Sequence, residues 1–175
     1  MGAPEWMEIE RLPKGQKIED VLPAGSIDAC MLPEISLKHT RMPGVRRLWP
    51  NFREVEKQYY LRTKIFPIRH VVVVKNEILE KHPWVAPSLV RAFTETKEMG
   101  INHVSDTRRS FLAWYGAALE EERELFGGDP WPYNIKDNRL VLETMARYAE
   151  MVRVTERKLE ISDMFVESVW SDENV

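Results

Sequence analysis

The run Val71-Val72-Val73-Val74 constrains this chain more than any other stretch. Each β-branched side chain restricts χ1 and favours extended backbone over helix. Four such residues without alternation predict a strand buried on both faces. Strands of that kind belong to α/β sheets, where ligands collect at strand ends. Ile65-Phe66-Pro67-Ile68 and then Arg69-His70 lead into the run, so the polar pair stands at one end of the most apolar segment. In a regular strand Arg69 and His70 face opposite sides, and a kink at Pro67 would be needed to bring both into one pocket.

Around this segment the composition is that of an ordinary globular protein, with 43% hydrophobic and 30% charged residues. A formal charge of −3, with no basic cluster, argues against a nucleic-acid binder. No apolar run approaches the roughly 20 residues of a membrane span. The first residues, MGAPEWMEIERLPKG, lack the order of a secretory signal, and Trp6 breaks the myristoylation pattern after Gly2. The single Cys30 leaves no partner for an internal disulfide. A cytoplasmic location is therefore expected.

Before the valine run, residues 7–12 (MEIERL) and 26–31 (SIDACM) read as short strands, the second closed by Pro33. Residues 18–22 read as a helical turn between them. Residues 34–50 are irregular and rich in cations. Asn51 can cap a helix over 52–60, and Asn76 a single turn over 77–81. Pro83 suits the first turn of a helix carrying Val85, Leu89 and Phe93 on one face, with Gly100 as its stop. Asp106 is positioned to cap a helix with the stripe Phe111, Leu112, Tyr115, Leu119 and Phe126, which Gly127-Gly128 end. Asp129-Pro130-Trp131-Pro132-Tyr133 must be a stiff loop, because two prolines flank a tryptophan. Asp137 or Asn138 opens a helix with Val141, Met145, Tyr148 and Val152 on one side. Ser162 or Asp163 caps a last turn. The expected architecture is α/β, with short strands in the N-terminal third and a helical C-terminal half.

No metal motif emerges: His39, His70, His82 and His103 are scattered, without an acid or second histidine at ligand spacing. There is no phosphate-cradling glycine loop and no nucleophile elbow. Cys30 reads as a small buried hydrophobe within its strand. His70 is the best candidate for acid–base chemistry, against the plain alternative of a histidine bonded to backbone at a strand start. Arg69, Arg62 and Arg46 could each grip a carboxylate through a bidentate fork, or could simply be solvated. Trp84 and Trp131 read as core corners before ligand-stacking platforms.

The blocks LPAGSIDAC, VRRLWPNFREVEKQYYLRTKIFPIRHVVVVKNEILEKHPWVAPSLVRAF and AWYGAALEEERELFGGDPWPYNIKDNRLVLETMARYAE resemble the C-terminal portion of the 4,5-dihydroxyphthalate decarboxylase family. That family is related in fold to the type 2 periplasmic solute-binding proteins. Lys64 stands where the family usually has glycine, Arg69 where it has methionine, and Asn134 where Trp-Pro-Tyr is followed by glycine. The resemblance implies a partial two-lobed fold. Residues 1–60 would be the end of the second lobe, and 61–175 a hinge strand and the C-terminal helical part of the first lobe. It also implies a shortened chain lacking most of the N-terminal lobe, so a homo-oligomer or a separate N-terminal portion is the expected cover for the valine strand's open edge. The implied activity is non-oxidative decarboxylation of a hydroxylated aromatic carboxylate. His70 would be the catalytic general acid, Arg69, Arg62 and Arg46 would bind substrate, and no cofactor is demanded. The implied partner is a small aromatic or carboxylated ligand. Two alternatives stand beside it: a non-catalytic solute-binding module for a small carboxylated ligand, and a helical protein that pairs with another chain.

Overall fold

The computed structural model describes residues 6–32 and 42–170. Pro33, His39 and the tail from Ser171 lie outside the described residues. The chain divides into two compact units, Met1–Arg62 and Thr63–Val175.

Among the described residues the structure is helical, with no strand. This overturns the expected α/β architecture of a partial periplasmic-binding-protein-like fold. A strand exists only through the hydrogen bonds of a neighbouring ladder, and none of the three expected strands has one. Residues 7–12 and 29–32 have no regular structure, residues 26–28 form a bend, and Cys30 is exposed rather than buried in a strand. Val71-Val74 has no regular structure either, and it is not buried. Val71, Val72 and Val73 are 56%, 63% and 87% exposed. The burial expected of the valines belongs instead to the residues just before them. Ile68 packs on the core, and Phe66 lies against the rings of Phe126 and Trp131.

In the first unit, α1 spans Ile18–Val21 and α2 spans Phe52–Thr63, whose last residue opens the second unit. Helix α1 stops where Pro23 removes a donor and Gly25 turns left-handed at φ 73°. Helix α2 starts where the Asn51 carbonyl accepts from the N–H groups of Glu54 and Val55 at 3.0 and 3.2 Å. It runs three residues past the expected end. Lys64 follows it at φ 57°, a left-handed conformation that suits glycine at a helix C-terminus.

The second unit holds α3 (Asn76–Lys81), α4 (Val85–Ser105), α5 (Tyr115–Phe126), α6 (Ile135–Met151) and α7 (Ile161–Met164). Helix α4 passes through Gly100 instead of stopping there. One helical glycine costs only about 1 kcal/mol relative to alanine. The helix ends at Asp106, whose side chain accepts from the Arg108 N–H and receives both Arg108 and Arg109 guanidinium groups, at 2.8 to 3.3 Å. The Arg108 guanidinium holds the Asp106 carboxyl below its ordinary pKa. Asp106 thus caps only the short 3-10 turn Thr107–Arg109, not a full helix. Phe111 and Leu112 therefore fall outside α5 and are exposed rather than part of a buried stripe. Helix α5 ends as expected at Gly127, at φ 69°.

Helix α6 begins two residues before its expected start, capped by Asn134 rather than by Asp137 or Asn138. The Asn134 Oδ1 accepts from the Asp137 N–H at 2.8 Å. Ile135, Leu142 and Ala146 are buried, while Met145, Tyr148 and Val152 are exposed. Ile135, Leu142 and Ile161 form the core cluster, covered by Ile68, Met164 and Phe165. Helix α4 packs against α3 and the 3-10 turns Thr107–Arg109 and Glu167–Val169.

Ile161 is brought to this core by a charged turn. Asp163 Oδ2 accepts from the Glu160 N–H at 2.8 Å and from Arg157 Nη1 at 2.7 Å. The Arg157 bond, with the backbone bond second, pulls the Asp163 pKa down to about 2, against about 3.9 for a free aspartate. A depressed carboxylate contributes stability that is complete above the unfolded pKa and is lost as pH falls through the folded one. The turn is therefore expected to loosen between about pH 4 and pH 2. The Glu160 amide shift should report it, with a midpoint near 2 in this protein and no such step in Asp163→Asn.

Candidate functional site

The predicted site residues fall in both units. Arg46 is exposed in an irregular segment of the first unit. Arg62 is exposed near the end of α2, its guanidinium 5.9 Å from the Tyr59 ring. Arg69 and His70 are neighbours on the irregular segment before α3 in the second unit, both exposed. His70 makes no hydrogen bond or ion pair with any described residue. Arg69 is held differently: its guanidinium lies 5.8 Å from the centroid of the Trp131 ring.

The site grows outward from that ring. Trp131 packs on Phe66 with centroids 5.0 Å apart, and Phe66 packs on Phe126 at 4.7 Å. Both pairs are tilted, an arrangement the ring quadrupoles favour over a face-to-face sandwich. Trp131 is thus a corner of an aromatic cluster whose outer side meets a cation. Phe66 and Arg69 come from one short irregular segment, in which Phe66 and Ile68 pack on the protein and the Arg69 guanidinium lies over Trp131 of the loop.

The loop that carries Trp131 is stiff for reasons visible in its chemistry. Pro130 and Pro132 fix their own φ angles. Asp129 Oδ1 accepts from the Trp131 N–H at 2.9 Å, closing an Asx turn. Asn138 Nδ2 donates to the Pro132 carbonyl at 2.6 Å and the Asn134 carbonyl at 2.8 Å, tying the loop to α6. From the other side comes Lys97 of α4. Its ammonium bonds the Asp129 carboxylate and the Trp131 carbonyl. The same ammonium sits 4.2 Å from the Tyr133 ring centroid.

Lys97 was not among the sequence candidates, yet its spacing carried a signal. It follows Val85, Leu89 and Phe93 at the next i+4 step, a lysine on the face where an apolar residue is expected. Its side chain is 16% exposed. A buried ammonium is costly unless paired and hydrogen-bonded, and the loop supplies both.

Chemically, the arrangement offers one exposed guanidinium over an aromatic base. Arg69 makes no hydrogen bond or ion pair with any described residue, so its planar fork of donors is available for a carboxylate. A cation–π contact restrains the guanidinium without using those donors. His70 stands next in the chain as a titratable group. Among the described residues no cluster of histidine, cysteine and carboxylate side chains is arranged to hold a metal ion. No helix among them is long and apolar enough to cross a membrane.

Comparison with known proteins shows a distant similarity to a curated enzyme. That enzyme is 4,5-dihydroxyphthalate decarboxylase of Comamonas testosteroni, 28% identical over 165 residues. The match covers 93% of this chain and 50% of the relative, so the chain spans half the length of the protein it resembles. No protein-family model matches the chain.

Proposed function

We propose that this protein engages a hydroxylated aromatic carboxylate through Arg69 and is related in chemistry to 4,5-dihydroxyphthalate decarboxylase. The observation that carries this reading is the similarity to that enzyme along 93% of the chain. The Arg69 fork over Trp131 supports it, because such a group suits a planar anion.

In a decarboxylase of this kind the ring carbon bearing the carboxylate takes up a proton while a phenol oxygen pushes electrons into the ring. The C–CO2 bond then breaks, its electron pair returns to the ring, and CO2 leaves. His70 would donate the proton and recover it from solvent. Arg69 would hold the carboxylate; Arg62 and Arg46 are further candidates for that work.

A second reading is binding without turnover, as a solute-binding module for a small carboxylated ligand. The exposure of His70 and its lack of a described partner favour this second reading, because nothing holds the ring against a substrate carbon. Release of CO2 from 4,5-dihydroxyphthalate by the full chain decides between them. The decarboxylase reading expects turnover that falls by about 10²-fold or more in His70→Gln, the scale of a lost general acid. Saturable binding with no CO2 release would contradict it and leave the binding module.

A further inference from the structure

We propose that Lys97 is the positioning residue of this site: by latching the 129–133 loop to helix α4, it sets the pose of Trp131 and, through that ring, of Arg69. The contact set points one way. Lys97 donates to a carboxylate at the start of the loop and to the main-chain carbonyl of Trp131, and lies against the Tyr133 ring. The three partners are spread over the length of a five-residue loop, and one ammonium meets all of them. A bond to the Trp131 carbonyl fixes the peptide from which the indole projects. The indole then has Phe66 against it and the Arg69 guanidinium over its face.

The other restraints cannot replace this one. The Asx turn and the two prolines shape the loop internally, and Asn138 ties its end to α6. Only Lys97 connects the loop to α4 among the described hydrogen bonds. Its aliphatic stem is mostly buried, which gives the ammonium a fixed base. Lys97 touches none of the atoms that would meet a ligand, so its effect on binding passes through Trp131.

The test uses the full chain and two readouts. The first is the Trp131 indole N–H cross-peak in a 1H–15N spectrum, assigned with Trp131→Phe. The second is the affinity for phthalate, used as a planar dicarboxylate probe. Lys97→Met is expected to shift the Trp131 indole resonance while leaving the indoles of Trp84 and Trp114 in place. It is also expected to weaken phthalate binding by about tenfold or more, as loss of a charge-assisted contact does. Lys97→Arg, which keeps the charge and the donors, should restore most of both. If Lys97→Met does not fold, Asp129→Asn removes the carboxylate partner and should displace the same resonance. An unmoved Trp131 resonance in the variants overturns the latch. So does a shift of all the indoles together, which marks general loosening. The phthalate readout rests on the proposed aromatic-carboxylate reading; the indole readout does not. Absence of phthalate binding in the unaltered protein would therefore count against that reading while the indole shift still judges Lys97.

Discussion

Leu142→Ala is expected to destabilise the second unit by about 2–4 kcal/mol, the usual cost of emptying a buried leucine site. Leu142 is 3% exposed and is the best-buried residue of the core cluster with Ile135 and Ile161. The cluster is small, so few neighbours can relax into the space, and the cavity term adds to the lost transfer energy. Domains of this size are stable by about 5–15 kcal/mol, so such a loss takes a large share. Denaturant unfolding followed by circular dichroism measures it as a fall in midpoint at constant slope. The control is Met145→Ala on the same helix. Met145 is 51% exposed, and its loss should cost about 0.5 kcal/mol or less. The stripe read from sequence (Val141, Met145, Tyr148, Val152) predicts the opposite ranking, so the pair of variants decides the register of α6.

Arg69→Met should abolish most carboxylate affinity, a loss of about 1.5–3 kcal/mol if the guanidinium makes a charged hydrogen bond to the ligand. Methionine keeps an apolar stem for the Trp131 face and removes only the donors and the charge. Fold stability should change little, because an exposed cation–π contact is worth about 0.5–1 kcal/mol. Isothermal titration with phthalate at low ionic strength separates the two effects from thermal unfolding of the same samples. Lysine at this position should recover only part of the affinity, since a point charge cannot form the two parallel bonds of a guanidinium. An affinity equal to that of the unaltered protein would move the carboxylate contact to another residue.

What could be read from the sequence follows from which signals are local. The stop at Gly127, the stiff Asp129–Tyr133 loop and the short turn at Ile18–Val21 were all legible, because proline and glycine act through their own backbones. Asn134 was missed as a cap although it precedes the α6 stripe, and the buried face, Leu142 and Ala146, lies one position beyond the Val141 and Met145 read from the pattern. The failure at Val71-Val74 has a different origin. β-Branched residues state a preference for extended backbone, and Val71–Val74 has no regular structure. Whether an extended segment becomes a strand depends on a partner elsewhere in the chain, which local pattern does not encode. Helix α5 fails in the same way at its start. Phe111 and Leu112 continue the periodic pattern, but Asp106 spends its carboxylate on Arg108 and Arg109, and the chain turns before the helix begins.

The candidate site was half legible. Arg69 could be singled out by its place before the valines, and Trp131 by its flanking prolines. Their contact spans 62 positions of sequence and could not be read from either alone. Lys97 was visible only as an oddity, a lysine on an apolar face, and its meaning came from the loop it meets. Arg46 and Arg62 share the first unit, apart from the pair Arg69 and His70.

The most direct test of the account follows the arginine Nε–Hε resonances while 4,5-dihydroxyphthalate is titrated into the full chain. The account predicts a saturable shift at Arg69, accompanied by the Trp131 indole. A shift centred on Arg46 or Arg62, or no shift at any arginine, would contradict it.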